Sequence, residues 1–404
     1  MPTKQDLMAK EHAFGAHNYA SVAVVLARAK GWLCWDVDGK EYIDMMSAYS
    51  TASLGHANPH ILRALIKQAR RLDVTSRAFY NDQLPLWLEM LTTVTGLDLA
   101  LPMNTGAEAV DTALKIARKW GERVKGIEAN RCEIIACEGN FHGRTLGTIS
   151  LSTEPQYRAH FGPFLPGMLT VPYDDVEALE AAINPNTAAF LVEPIQGEAG
   201  IRLPREGYLK RVRALCDRHR VLMIVDEVQT GFARTGALFC HQHDNIKPDL
   251  LTLGKALGGG IYPVSAVVGR RDVMGVLNPG DHGSTFGGNA IAAAVSLRAM
   301  ELLTDPALLV RVNKLADFAM AYLERHLAHN PLVRDIRGRG LFIGVEIAPE
   351  IGARRVIDAL KEAGVLSKDT HETVVRLAPP LTISRKALGT ALERLVRVLN
   401  ELER

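Results

Sequence analysis

The sequence predicts an α/β fold in which a mainly parallel sheet is flanked by helices, with a smaller α+β region at the C-terminal end. Three observations carry this. Short β-rich runs alternate with helical patterns. Several of those runs are apolar throughout, as strands covered on both faces must be. Past about residue 300, long helical stretches are followed by only two strand-like runs.

The strand-like runs are "CEIIAC" (132–137), "AAFLVEP" (188–194), "VLMIVDEV" (221–228), "DLLTLG" (249–254) and "YPVSAVVG" (262–269). Helical patterns lie among them. In "AVDTALKIARKW" the residues Val110, Ala113, Leu114, Ala117 and Trp120 share one face, opposite Asp111, Lys115 and Arg118. "REGYLKRVRALCDRH" aligns Leu209, Val212, Leu215 and Cys216 in the same way. Upstream, "GWLCWDVDGKEYIDM" reads as a hairpin turning at "DVDGK". Downstream, "GRGLFIGVEI" (338–347) and "VVRLAPPLTI" (374–383) are the two strand candidates of the small region. The expected organisation is an N-terminal segment (1–49), a large α/β domain (50–300) and a small C-terminal domain (301–404). The second border falls within the helix after "STFGGNAIAAA".

Composition narrows the function classes. The chain has 404 residues, 47% of them apolar and 23% charged, with 47 basic and 45 acidic side chains and a net charge of +2. Such a balance gives no reason to expect nucleic acid or a membrane surface as partner. The first twenty residues lack the apolar core of a secretory signal, and no apolar run reaches the length of a membrane span. Five cysteines, without CxxC or Cys/His ligand spacing, fit reduced thiols in a cytoplasm; Cys132 and Cys137 read as small buried residues, and no metal site is expected.

The chemistry concentrates at strand ends. Asp226 and Glu227 follow the apolar run "VLMIV", and Lys255 follows "DLLTLG" as the lone charge between residues 250 and 269. In open α/β sheets ligands bind outside the carboxyl ends of the strands, so neighbouring parallel strands would open Asp226 and Lys255 onto one crevice. A salt bridge at the rim is the structural alternative. In "PMNTGAEAVDTAL", Asn104 and Thr105 are capping residues, Gly106 lets backbone approach a ligand, and a helix begins near Ala107. Such an N-terminus suits a phosphate, or is simply a cap. An amine nucleophile, an acid and a phosphate cradle together suggest pyridoxal phosphate: the lysine forms a Schiff base with the aldehyde, and the aspartate keeps the pyridine nitrogen protonated.

The motifs "IVDEVQTGFARTG", "LTLGKALGGG", "HGSTFGGN", "MNTGAEA" and "GNFHGRT" resemble those of the class III aminotransferases, and the similarity runs from about residue 12 to about 385. Within that family, "GAHNYASV", "MSAYSTASLGH", "TSRAFYNDQL" and "EPIQGEAG" most resemble the ornithine aminotransferase branch in its bacterial form. The resemblance implies a fold-type I enzyme using pyridoxal phosphate. Lys255 would be the Schiff-base lysine and proton shuttle, Asp226 the partner of the ring nitrogen, and Gln229 that of the phenolic oxygen. Phe141 and Val228 would pack on the two ring faces. Gly106 and Ala107 would give backbone N–H groups to the phosphate. Thr285 would reach the phosphate of a neighbouring subunit, implying a homodimer or a higher oligomer with shared sites. His142 and His282 stand near these motifs for packing or phosphate-side hydrogen bonding, and Glu193 and Glu227 as polar support or salt bridges.

The implied substrates are L-ornithine and 2-oxoglutarate. Tyr19 and Arg144 would hold the far end of ornithine, and Tyr49 would favour its δ-amine. Arg376 would take the carboxylate of the oxo acid, with Glu198 covering Arg376 when ornithine is bound. Read without the family, Arg376 is an exposed strand arginine and Glu198 a loop carboxylate. The sequence departs from the ornithine branch where "ASVAVV" follows "GAHNY" and "TASL" follows "SAYS", both at the substrate entrance. N-Acetylornithine, 4-aminobutyrate and lysine-like amines are the alternative substrates.

Overall fold

The computed structural model describes residues 2–403. A seven-stranded sheet forms its centre, built from β4 (Leu99–Met103), β5 (Glu133–Cys137), β6 (Met168–Val171), β7 (Thr187–Val192), β8 (Leu222–Asp226), β9 (Leu250–Leu253) and β10 (Ser265–Gly269). The order is β4-β10-β9-β8-β7-β5-β6. Pairings from β9 through β8, β7 and β5 to β6 are parallel, whereas β10 runs antiparallel to both β9 and β4.

The five expected strands form. The two edge strands, β4 and β6, carry little signal in the sequence: "LALPM" contains a proline, "MLTV" has four residues, and both are partly exposed.

Uniform hydrophobicity of the central strands follows from their two covered faces. Ile134, Ala136, Ala189, Leu191, Leu222 and Ile224 pack with Val110, Ala113 and Ala117 of the helix Gly106–Trp120. Their alternates Ile135, Cys137, Phe190, Val192, Met223 and Val225 pack on the other side with Leu209, Val212, Leu215 and Cys216 of the helix Tyr208–His219. With a strand period of two, each run must be apolar at every position.

The expected N-terminal hairpin is present as β2 (Leu33–Asp36) and β3 (Glu41–Asp44), flanked by β1 (Leu26–Lys30). Its sheet is closed by a strand from the far end of the chain, β13 (Val365–Leu366), which lies parallel to β3. A third, antiparallel sheet has the order β11-β12-β15-β14, from β11 (Val333–Arg339), β12 (Phe342–Ile347), β14 (Lys368–Thr370) and β15 (Val374–Leu377). The run 338–347, read as one strand, is instead a hairpin end: β11 and β12 turn at Gly340, which has φ 61°. In 374–383 only the first four residues are strand, because two prolines interrupt the rest.

Gly340 seats the β11–β12 turn against the loop of Arg234 and Thr235 that follows β8. The N–H of Leu341 donates to Arg234 O at 3.0 Å, and the buried guanidinium of Arg234 donates to the carbonyls of Leu341 (2.9 Å) and Pro379 (2.7 Å). A methyl group at position 340 would overlap the backbone of Thr235 and Arg234. Gly340→Ala is therefore expected to lower stability by at least about 2 kcal/mol, from the left-handed φ and the overlap together. Denaturant unfolding checks this, and a neutral outcome would remove Gly340 from the docking contact.

Candidate active site

The carboxyl ends of the parallel strands converge on one cavity of about 170 Å³. Asp226 ends β8, Lys255 lies two residues past β9, and the helix Gly106–Trp120 starts three residues past β4. Phe141, His142 and Gly143 follow β5, and Glu193 follows β7. All of them line the cavity with Ala107, Ile195, Val228, Gln229 and Thr230. Antiparallel β10 begins at this same end, where the Ser265 hydroxyl donates to Thr105 O at 2.6 Å.

The phosphate-cradle geometry comes from a capping box. Thr105 Oγ1 accepts from the N–H of Glu108 (3.2 Å), and Glu108 returns its carboxylate to the N–H groups of Thr105 (2.8 Å) and Asn104 (2.9 Å). The N–H groups of Gly106 and Ala107, in the first helical turn, have no carbonyl one turn earlier to receive them. A Cβ on Gly106 would lie 2.9 Å from Val228 Cγ1, so glycine keeps this mouth open. Gly143, at φ 129°, similarly has no room for a Cβ beside Ala107.

Asp226 does not bridge to the lysine. One carboxylate oxygen accepts from the N–H of Val228 (3.0 Å) and the other meets His142 Nδ1 at 2.7 Å. Burial opposes charge on His142, but the hydrogen bond and charge of Asp226 outweigh it and raise the imidazole pKa. His142 Nε2 is buried without a partner. His142 thus supports the aspartate. His282 bonds to Thr112 Oγ1 (2.9 Å) and Lys115 Nζ (2.9 Å), so it sits beside the second and third turns of the helix rather than at its N-terminus. Glu227, next to Asp226, points away and is held by His241 and Thr230. Glu193 accepts from the N–H of Phe141 at 3.0 Å, forms no salt bridge among the described residues, and is pushed up to about 8 by burial.

Lys255 adopts a left-handed backbone, φ 46°, at the start of a 3₁₀ turn. Burial, and then the charge of Arg376, push its pKa down to about 8 against the pull of Glu198, Asp226 and Glu193.

The arginine that reads as exposed in the sequence is fully buried. β15 is an inner strand between β12 and β14, and the Arg376 side chain is enclosed and its charge met by neighbours from distant segments. Arg376 Nη1 donates to Glu198 Oε1 at 2.7 Å and Nη2 donates to Gln229 Oε1, while Gln229 Nε2 donates to the same Glu198 oxygen at 3.3 Å. The rings of Tyr49 and Phe342 lie 5.1 Å and 5.3 Å from the guanidinium carbon. Burial raises the Glu198 pKa, but Arg376 and Lys255 outweigh it and hold the carboxyl below its usual range.

Tyr49 sits on four consecutive left-handed residues, Ser47 (φ 45°), Ala48 (48°), Tyr49 (59°) and Ser50 (71°). Each such residue costs about 1–2 kcal/mol, so the turn exists because its surroundings impose it. Asp44 Oδ1 accepts from the N–H groups of Met46 and Ser47, both at 2.8 Å, and the Ser47 hydroxyl donates to Ala378 O at 2.6 Å.

A family model, Aminotransferase class-III, matches residues 14–399. The chain belongs to the class-III aminotransferases. A relative named ornithine aminotransferase in Halalkalibacterium halodurans is 51% identical over 390 residues, covering 96% of this chain and 97% of the relative. One of the same name in Brevibacillus brevis is 50% identical over the same length and coverage. The crystal structure of the Toxoplasma gondii ME49 ornithine aminotransferase superposes with a TM-score of 0.98 at 45% identity, covering 100% of this chain and 96% of that one.

In this class-III aminotransferase the residues fit the family's cofactor: a lysine with a lowered pKa, a buried unpartnered imidazole nitrogen beside Asp226, and a helix N-terminus opened by Gly106 face one cavity. Three candidates are exposed. Tyr19 is 81% exposed. Thr285 is exposed, although its neighbour Ser284 accepts from Asn104 Nδ2 at 3.0 Å and so ties that segment to the helix cap. Arg144 is exposed and stacks on Tyr157, 3.4 Å from the ring centroid, with Phe141 at 5.5 Å. Sequence reasoning passed over Tyr157, which has no local signal, and Arg234, which was visible as a lone charge in "GFARTG".

Proposed function

We propose that this enzyme transfers the δ-amino group of L-ornithine to 2-oxoglutarate, giving glutamate 5-semialdehyde, which cyclises to pyrroline-5-carboxylate, and L-glutamate. The observation that carries the substrate pair is the buried Arg376 covered by Glu198 beside the lysine cavity. A neutralised guanidinium suits an amine substrate without a carboxylate at the reacting carbon. Uncovered, the same guanidinium offers a fork to the carboxylate of the oxo acid. The high identity to bacterial ornithine aminotransferases supports the same reading.

Pyridoxal phosphate, when bound, supplies an aldehyde for the incoming amine and a ring that accepts the electron pair left as the substrate carbon loses its proton. Lys255 would hold it and then carry the δ-carbon proton, a task suited to an amine with a pKa of about 8. Asp226, oriented by His142, would face the ring nitrogen; Gln229 would face the phenolic oxygen. Phe141 and Val228 would cover the ring, and the N–H groups of Gly106 and Ala107 would receive the phosphate. Arg144 and Tyr19 would bind the α-carboxylate end of ornithine. One site serving both half-reactions implies ping-pong kinetics.

The pairing of two chains completes this reading. Phe79 (73% exposed), Tyr80 (98%) and Phe286 (54%) are large apolar side chains left at the surface, Phe286 next to Thr285. A homodimer covering them would bring Thr285 to the partner's phosphate site. No helix among the described residues is long and apolar enough to cross a membrane, and with five free, buried cysteines we assign the enzyme to the cytoplasm.

The test is product formation. Purified enzyme with ornithine and 2-oxoglutarate should yield pyrroline-5-carboxylate faster than it converts N-acetylornithine or 4-aminobutyrate, and the reverse order would reject ornithine. Tyr49→Ile should shift preference toward those other amines by about tenfold; an unchanged profile would remove Tyr49 from selection. Covalent capture of pyridoxal phosphate by the cofactor-free protein has its own pH signature. Only the neutral amine attacks an aldehyde, so the capture rate should rise about tenfold per pH unit and level off above about 8. An inflection near the pKa of a free lysine, about 10.4, measured by stopped-flow absorbance, would contradict the buried environment of Lys255.

A further inference from the structure

We propose that Cys34, Asp44 and His56 form a binding site for a divalent cation of the Zn²⁺ type, separate from the lysine cavity. One donor atom from each, a thiol sulfur, a carboxylate oxygen and an imidazole nitrogen, lie within 4.8 Å of one another. None of the three lines the Lys255 cavity. Linear spacing gives no hint of this site, because the donors come from β2, the end of β3 and a loop that the fold brings together.

The donors are preset by backbone. Cys34 pairs with Ala29 on one side and Tyr42 on the other. The N–H of Asp44 donates to Trp32 O at 2.9 Å, and His56 exchanges two backbone hydrogen bonds with Gly31, both at 2.8 Å. Cys34 and Asp44 are buried, while the His56 side chain is 26% exposed and gives an entry path. The carboxylate is already divided for the task. Asp44 Oδ1 is held by the N–H groups of Met46 and Ser47, and Oδ2, 2.7 Å from His56 Nε2, faces the cluster. Ligating carboxylates are commonly oriented by such outer hydrogen bonds.

The donor set selects the ion. A thiolate and an imidazole beside one carboxylate suit Zn²⁺, whereas Mg²⁺ and Ca²⁺ prefer all-oxygen shells. Tetrahedral Zn²⁺ with sulfur at about 2.3 Å and nitrogen and oxygen at about 2.0–2.2 Å holds its donors roughly 3.3–3.6 Å apart. The His56–Asp44 contact must therefore open by less than about 1 Å, and Cys34 must close in. Binding forms Zn–S, Zn–N and Zn–O bonds. The thiol proton and the proton between His56 and Asp44 pass to water, and no atom changes oxidation state. Three protein donors leave a fourth position for water.

Equilibrium dialysis of the cofactor-loaded enzyme against Zn²⁺ should find one ion per chain that Cys34→Ala and His56→Gln each remove and Cys132→Ala does not. Zn²⁺ should also raise the thermal midpoint of the wild type and not of Cys34→Ala, since an ion that binds only the folded state stabilises it. Retention of the ion by both variants would overturn the site. If Cys34→Ala fails to fold, Co²⁺ on the wild type decides. Intense visible ligand-field bands of a four-coordinate thiolate site, at wavelengths beyond the cofactor's absorption, uphold the proposal, and their absence overturns it.

Discussion

Lys255→Ala should lower turnover by about 10⁴-fold or more, because it removes both the amine that anchors the cofactor and the base that moves the substrate proton. The folded structure should survive, since the lysine forms no salt bridge among the described residues and its backbone is held by the 3₁₀ turn. The variant should still take up pyridoxal phosphate through the Gly106–Ala107 cradle, without the absorbance of the lysine adduct. Small exogenous amines should restore part of the rate, which a merely misfolded protein would not allow. Turnover within tenfold of the wild type would overturn the assignment of Lys255.

Arg376→Ala has the second largest expected effect, and it is asymmetric. The oxo-acid half-reaction loses its carboxylate fork, so kcat/KM for 2-oxoglutarate should fall by about 10²–10³-fold. Glu198, half-buried and held below its usual pKa chiefly by Arg376, loses that partner and should take up a proton more readily. The ornithine half-reaction, which meets the pair in its neutralised form, should change by less than about tenfold. Arg376→Lys should not rescue the oxo-acid step, because an ammonium cannot contact Glu198 and Gln229 as the two arms of the guanidinium do. Single-turnover kinetics of each half-reaction separate these outcomes; equal losses in both would reject the gate.

Much of the central site was legible because α/β sheets place chemistry at strand ends. Asp226 and Lys255 each follow an apolar run, Gly106 opens a helix announced by its capping residues, and the fold converts those three positions into one cavity. The uniformly apolar strands declared two covered faces, and the structure covers both. What stayed hidden depends on partners remote in sequence. Nothing near Arg376 announces that Glu198, Gln229 and Tyr49 will meet it, so an arginine in "VVRL" reads as exposed. Likewise β4 and β6 look like loops until neighbours supply their hydrogen bonds. The family resemblance supplied the gate pair; residue chemistry alone did not reach it.

The pairing of β3 with β13 sets a timetable for biosynthesis. Ile43 waits for Val365, Met45 O for the N–H of Ala378, and Ser53 O for the N–H of Leu381. At about 5–20 residues per second on a ribosome, more than three hundred residues take roughly 20–60 s to follow. Through that interval the segment carrying Tyr49 has the local Asp44 contacts but lacks the one from Ser47 to Ala378 that helps impose its left-handed turn. The newborn chain can lay down the central sheet while its amine-selecting wall is still unformed. Premature termination before residue 365 would then leave a polypeptide with Lys255 and Asp226 in hand and no means to choose a substrate.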